Sequence, residues 1–133
     1  VTHDHPEGIK GAQAIAAGIY LLRSGKSKVD VRDYLSQMYD LNFTLNEIRP
    51  SYRFEVSCQK SVPQAINAFL EAEDFADTLK NALSIGDADT LAAMAVSLAE
   101  ACYPIPMDLE ERAWAKLTPD LQAVVRRANE FLS

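Results

Sequence analysis

The chain has 133 residues, 48% of them hydrophobic and 24% charged, and its 19 acidic and 13 basic side chains give a net charge of -6. This composition predicts one globular domain over residues 1–133, and the acidic balance argues against nucleic acid or an anionic membrane surface as the main partner. Apolar stretches stop well short of the ~20 residues that cross a bilayer. Two cysteines are too few for a disulfide framework, and they predict a reduced, cytoplasmic setting.

The first part of the chain shows helical spacing of apolar and small residues. A helix is predicted from Glu7 to Ser24, ended by Gly25, and a second begins at Ser27 with Asp30 in its first turn. One face of the first helix is made of Ile9, Ala12, Ala16, Ile19 and Tyr20.

The middle of the chain alternates start and stop signals. The segment Thr44–Glu47 has the form of a capping box, and Pro50 limits the helix that begins there to a short turn. Residues 54–58 alternate apolar and polar side chains without an evident pairing strand, so we interpret them as an extended loop. The sequence Ser61–Val62–Pro63–Gln64 predicts an N-cap, an early proline and a reciprocal glutamine at the start of the next helix.

The remaining elements are also helical. Asp74 is a predicted N-cap, and the helix at residues 89–102 is rich in alanine, which favours close packing and predicts the most buried element of the fold. A polar helix at 109–116, anchored to the core by Trp114, and a last helix opened by Thr118–Pro119 complete an all-α fold with about seven helices.

The residues best suited to chemistry lie in the turn before the alanine-rich helix. Asp87, Asp89 and Thr90 place two carboxylates and a hydroxyl within four residues, and such hard oxygens suit Mg²⁺ or Mn²⁺. The alternative is ordinary capping, in which the acids interact with the positive end of the helix dipole. Spacing alone favours capping.

Two histidines stand near the first residue. His3 and His5 are two positions apart, so they converge only from a loop or an extended segment. Zinc ligation is one interpretation, although no further cysteine or histidine stands at a suitable spacing. A polar loop leading into the first helix, or contact with a substrate, are the other two.

Three motifs in order resemble the C-terminal half of ADP-ribosylglycohydrolase family proteins. They are Thr2–His3–Asp4–His5–Pro6–Glu7–Gly8–Ile9–Lys10–Gly11–Ala12, Ser61–Val62–Pro63–Gln64–Ala65–Ile66–Asn67–Ala68–Phe69–Leu70 and Ser84–Ile85–Gly86–Asp87–Ala88–Asp89–Thr90–Leu91–Ala92. The resemblance runs to about Pro106. It implies an all-α, orthogonally packed, multi-helix fold, of which this chain is a part.

The resemblance also implies a chemistry: two Mg²⁺ or Mn²⁺ ions in a cleft where the glycosidic bond between ADP-ribose and an arginine, serine or similar acceptor is cleaved. By position, Asp87, Asp89 and Thr90 become metal ligands, and His3 and His5 become substrate-binding residues at the mouth of the cleft. No residue is assigned as the catalytic acid or base.

The chain departs from the family pattern in ways that bear on activity. The other metal ligands of the family lie in an N-terminal half that has no counterpart here, and Val1 in place of methionine suits the interior of a longer chain or a processed product. Gly86 stands alone where the family has two glycines before the first aspartate. We therefore expect the isolated chain to be inactive or nearly so.

Two alternatives to an enzyme half stay open. One is a catalytically inactive domain of the same fold that binds ADP-ribose-like nucleotides or a protein. The other is a structural fragment whose helices self-associate as a homodimer through the apolar face that the N-terminal half would cover.

Overall fold

The computed structural model describes residues 6–49, 58–85 and 88–132, and within these ranges helices joined by short loops are the only regular secondary structure. The helices are α1 (Pro6–Arg23), α2 (Lys28–Leu35), α3 (Leu45–Ile48), α4 (Cys58–Leu70), α5 (Phe75–Ser84), α6 (Ala88–Cys102), α7 (Met107–Lys116) and α8 (Pro119–Leu132). The all-α prediction is confirmed. The structure has one helix more than the predicted seven because α3 is the short helical turn expected before Pro50. None of the described helices has the length and hydrophobicity needed to span a bilayer.

Local capping chemistry sets several helix boundaries where the sequence predicts them. Ser27 and Asp30 form a reciprocal capping box at the start of α2, and Thr44 and Glu47 do the same for α3. The Asp74 side chain accepts a hydrogen bond from the backbone N–H of Asp77 at the start of α5. These caps satisfy N–H groups that a helix leaves without intrahelical partners. Because the residues that form each cap are three positions apart, the start of each helix is set by nearby residues.

The predicted start of α4 is wrong. The helix begins at Cys58 instead of after Ser61, so Cys58 is not part of an extended loop and Pro63 lies inside the helix. Ser61 is buried, and the Oε1 atom of Gln64 is buried without a hydrogen-bond partner among the described residues, so Gln64 is not a reciprocal cap. The first helical turn forms upstream because apolar packing of α4 compensates for the amide donor that a proline lacks.

The predicted apolar face of α1 does not point into the core. The buried positions are Gly11, Ala14, Gly18 and Leu22, whereas Ile9 and Tyr20 are 46% and 71% exposed. Glycine at positions 11 and 18 lets the backbone of α1 approach α4 and α6 closely. Ile9 and Tyr20 are therefore left on the outer surface, and of the predicted face only Ile19 packs against the core, where it is partly buried.

The core consists of two side-chain clusters that share α4 and α6. One cluster joins α1, α2, α4 and α6 with Phe75 at the start of α5, and the other joins α3, α4, α5 and α6. In α4, all side chains from Ser61 to Phe69 except Gln64 are buried, whereas in α6 Ala93 is exposed. The most buried element is therefore α4 and not the alanine-rich α6, because α4 contacts neighbours on more sides.

The last two helices extend from this core. Leu109 of α7 packs against the first cluster. Trp114 instead faces α8, where the guanidinium of Arg126 lies 5.0 Å from the centre of its ring. The expectation that Trp114 anchors α7 to the core is therefore wrong.

Candidate functional site

The candidate metal-binding turn connects α5 to α6 and is held by a buried residue on each side. Ile85, which ends α5, and Leu91, in the first turns of α6, are each 1% exposed and belong to the same core cluster. Their burial holds the end of α5 and the start of α6 in place. Asp89 and Thr90, which immediately precede Leu91, therefore lie at a defined position on the surface of the fold.

Two of the predicted ligands are described by the structure. Asp89 and Thr90 lie in the first turn of α6, with both side chains exposed. Asp87, His3 and His5 lie outside the described residues. Within the described part of the chain, no group of three or more histidine, cysteine, aspartate or glutamate side chains is positioned to hold a metal ion.

The described residues bear on the capping alternative for Asp89. The capping aspartate of α5, Asp74, accepts a backbone hydrogen bond of 2.7 Å from Asp77. Asp89 and Thr90 form no side-chain hydrogen bond or ion pair within the described part of the chain. Their three oxygen atoms face solvent at the positive end of a helix dipole, and they are available to an external ligand.

An arginine that the sequence analysis missed supports the α5 side of this turn. The Nε of Arg49 donates to the Ser84 hydroxyl at 2.7 Å, and its guanidinium also donates to Asn46 and Asn81. Asn81 in turn donates to the carbonyl of Ala68 in α4. This network ties α3 and α4 to the last turn of α5. No local signal reveals it, because Arg49 and Ser84 are 35 positions apart.

A groove of about 480 Å³ runs between α1 and α6. Ala93, Met94 and Ser97 form its α6 wall, and they follow Thr90 by three, four and seven residues, which places them on the same side of the helix as Thr90. The lining is mostly small and apolar: Gly8, Gly11, Ala12, Ile15, Ala16, Ile19, Val62, Ala93, Met94 and Ser97.

The two helices that border this groove begin at the same end of the fold. Gly18 of α1 lies against Leu98 of α6, and Arg23 forms a 2.8 Å ion pair with Glu100. Because later residues of α1 meet later residues of α6, the helices run in the same general direction. The start of α1 at Pro6 is therefore on the same side as Asp89 and Thr90.

Comparison with protein families gives a match to the model described as ADP-ribosylglycohydrolase, over residues 1–131. Comparisons with curated proteins and with solved structures give no match.

Proposed function

Because the chain belongs to the ADP-ribosylglycohydrolase family, we propose that it contributes one half of a site that hydrolyses the glycosidic bond between ADP-ribose and a modified protein side chain or a related ADP-ribosyl compound. The observation that carries this proposal is the exposed Asp89–Thr90 pair at the start of α6, beside the groove. The reaction belongs in the cytoplasm, and the exposed, unpaired Cys102 is in keeping with a reduced compartment.

The oxygen donors at the start of α6 supply part of the ligand set that a divalent cation needs. Asp89 and Thr90 are exposed donors, and we propose that Asp87 completes this side of a site for two Mg²⁺ ions, with Mn²⁺ as a substitute. When bound, such ions stabilise charge that develops as a glycosidic bond breaks. Asp87 and Asp89 would hold the ions, and His3 and His5 would contact the substrate.

The groove between α1 and α6 suits a protein segment better than a nucleotide. A diphosphate needs charged or hydrogen-bonding groups, whereas the groove is lined mainly by alanine, isoleucine, glycine and methionine. We propose that the N-terminal half of the family domain packs on this apolar surface. It would bring the remaining metal ligands towards Asp89 and Thr90.

Without that half, two neighbouring carboxylates lack most of their counter-charge. We therefore expect the chain alone to release no measurable ADP-ribose from modified arginine or serine peptides in millimolar Mg²⁺. Adding the N-terminal half of a family member should restore release. Asp89→Ala should abolish that gain, whereas Asp108→Ala, which removes an exposed acid from the first turn of α7, should leave it intact.

Metal binding can be measured independently of turnover. Mn²⁺ broadens the NMR signals of nearby nuclei, so titration should selectively broaden the backbone amides of Asp89, Thr90 and Leu91. Asp89→Asn should remove the effect, and Asp108→Asn should retain it. Equal broadening at the first turns of α6 and α7 would contradict a metal role for Asp89.

An inactive ADP-ribose-binding or protein-interaction domain of the same fold is the second candidate. It is favoured by Gly86, which stands alone where the family has two glycines before the first aspartate. Such a domain should bind ADP-ribose with the same affinity in Mg²⁺ and in EDTA, and adding the N-terminal half should produce no turnover. Calorimetric titration with ADP-ribose under both conditions separates the two candidates.

A further inference from the structure

The last helix exposes an apolar face that lies apart from the groove between α1 and α6. Leu121, Val124 and Phe131 of α8 are 50%, 53% and 90% exposed, and Ala128 between them is also exposed. These residues follow one another at intervals of three, four and three, so they form one stripe along the helix. We call this stripe the α8 face.

The neighbouring helix does not cover the α8 face. Gln122 donates to the carbonyls of Trp114 and Leu117, and Arg126 lies over the Trp114 ring. These contacts use a different side of α8, about a quarter turn or more away from Leu121. The extensive helix–helix contacts of the fold all lie among α1 to α6. Within the described structure, the α8 face is therefore available to a partner.

Charges along one edge of the α8 face indicate the nature of that partner. Asp120 and Arg127 are seven residues apart, so they lie on the same edge of the stripe, at equivalent positions in successive pairs of turns. A second α8 running in the opposite direction places Asp120 of each copy beside Arg127 of the other. A parallel second copy brings neither charge opposite the other.

Apolar residues fall into register in the same arrangement. With Asp120 opposite Arg127, Leu121 of each copy lies at the level of Val124 in the other, because both pairs have nearly the same midpoint along the helix. Ala128 and Phe131 lie at or beyond the start of the other α8 at Pro119, so Leu121 and Val124 supply the apolar contact between the two helices. Arg127 forms no hydrogen bond or ion pair within the described part of the chain. Its charge is therefore free to meet a partner.

We infer that two copies of this chain associate through the α8 face, with their α8 helices antiparallel and Asp120 of each beside Arg127 of the other. This inference does not depend on glycohydrolase activity. The face is small for a protein interface, so we expect reversible association in roughly the micromolar range or weaker.

Sedimentation equilibrium over a range of concentrations tests the inference. Arg127→Glu places like charges together at two symmetric points and should weaken dimerisation about tenfold. The double variant Asp120→Lys/Arg127→Glu recreates both opposite-charge pairs and should restore the dimer. Lys80→Glu makes the same change in net charge on the exposed surface of α5 and should have no effect.

A second variant tests the apolar part of the interface. Val124→Glu introduces a charge at the centre of the α8 face and should give a monomer at all concentrations, with the helical circular dichroism of the unaltered chain. A wild-type chain that stays monomeric throughout would overturn the inference. Self-association unaffected by Val124→Glu would also overturn it and would point to the groove between α1 and α6. A double charge exchange that fails to restore the dimer would overturn the antiparallel arrangement.

Discussion

Gly18 of α1 and Leu98 of α6 approach each other so closely that a Cβ atom at position 18 would lie 2.7 Å from Leu98 Cδ2. Leu98 is completely buried in the first core cluster, so its side chain has little room to move. Ile19 and Ser97, the chain neighbours of Gly18 and Leu98, line the groove between α1 and α6. Packing at Gly18 thus connects the stability of the core with the shape of the site.

Gly18→Ala should destabilise the protein. Alanine favours a helix over glycine by about 1 kcal/mol, but an added methyl group in a filled core costs about 1–3 kcal/mol. We expect a net decrease of up to about 2 kcal/mol in the free energy of unfolding, measured by urea denaturation. In a Leu98→Ala background the same change should cost less, because the neighbouring side chain has been removed. Equal effects in both backgrounds would contradict the close contact.

Lys28→Met should also destabilise the fold. The Lys28 ammonium donates to the carbonyl of Ala72 at 2.5 Å and to the hydroxyl of Tyr103 at 2.7 Å, and it lies 5.0 Å from the centre of the Phe69 ring. Losing a partly buried charged donor costs about 2 kcal/mol. Thermal and urea denaturation should show this loss. Lys26→Met, at an exposed position just outside α2, should change stability by less than about 0.5 kcal/mol.

Arg49→Ala should loosen the end of α5 that leads to the candidate metal-binding turn. Removing its hydrogen bonds to Ser84 and Asn81 should increase hydrogen exchange at the backbone amides of Ser84 and Ile85 several-fold. Arg23→Ala is the matched control, because it removes an arginine from a surface ion pair whose two side chains are about half exposed. Unchanged exchange at Ser84 and Ile85 in Arg49→Ala would refute the proposed support.

The Asp30 capping box should make stability depend on pH under acidic conditions. Hydrogen bonds from the Ser27 backbone N–H and hydroxyl hold the pKa of Asp30 below its ordinary value of 3.8 in the folded chain. As pH falls, the unfolded chain takes up this proton first, so the stability contributed above about pH 4 is lost as pH drops through the folded-state pKa.

Asp30→Asn should remove that part of the acid dependence, because asparagine carries no titrating charge. Urea denaturation between pH 5 and pH 3, compared with the unaltered chain, measures the difference. Asp33→Asn takes a carboxylate from the same helix outside the capping box and should preserve the slope. An identical slope in Asp30→Asn and the unaltered chain would show that the capping box contributes nothing to it.

Signals that act over a few residues predicted much of the secondary structure. The structure confirms the caps at Ser27, Thr44 and Asp74. They could be predicted because each capping hydrogen bond joins residues only three positions apart. Gly25, with φ of +88°, follows α1 as predicted because glycine tolerates that conformation. The start of α4 could not be predicted in this way, because the packing of its buried side chains outweighs the local preference of Pro63.

The candidate site also has features that the sequence predicts and features that depend on tertiary contacts. On spacing alone Asp89 and Thr90 are more typical of a helix cap, and the prediction that they are metal ligands rests on the family resemblance, whose motifs the chain itself carries. Their exposure, the groove beside them and the support from Arg49 all depend on contacts between residues far apart in the chain. Periodicity found the apolar face of α1, but whether that face is buried depends on the shape of α4 and α6. Helix formation follows from short-range hydrogen bonds and spacing, whereas the choice of buried surface follows from how closely whole helices can approach one another.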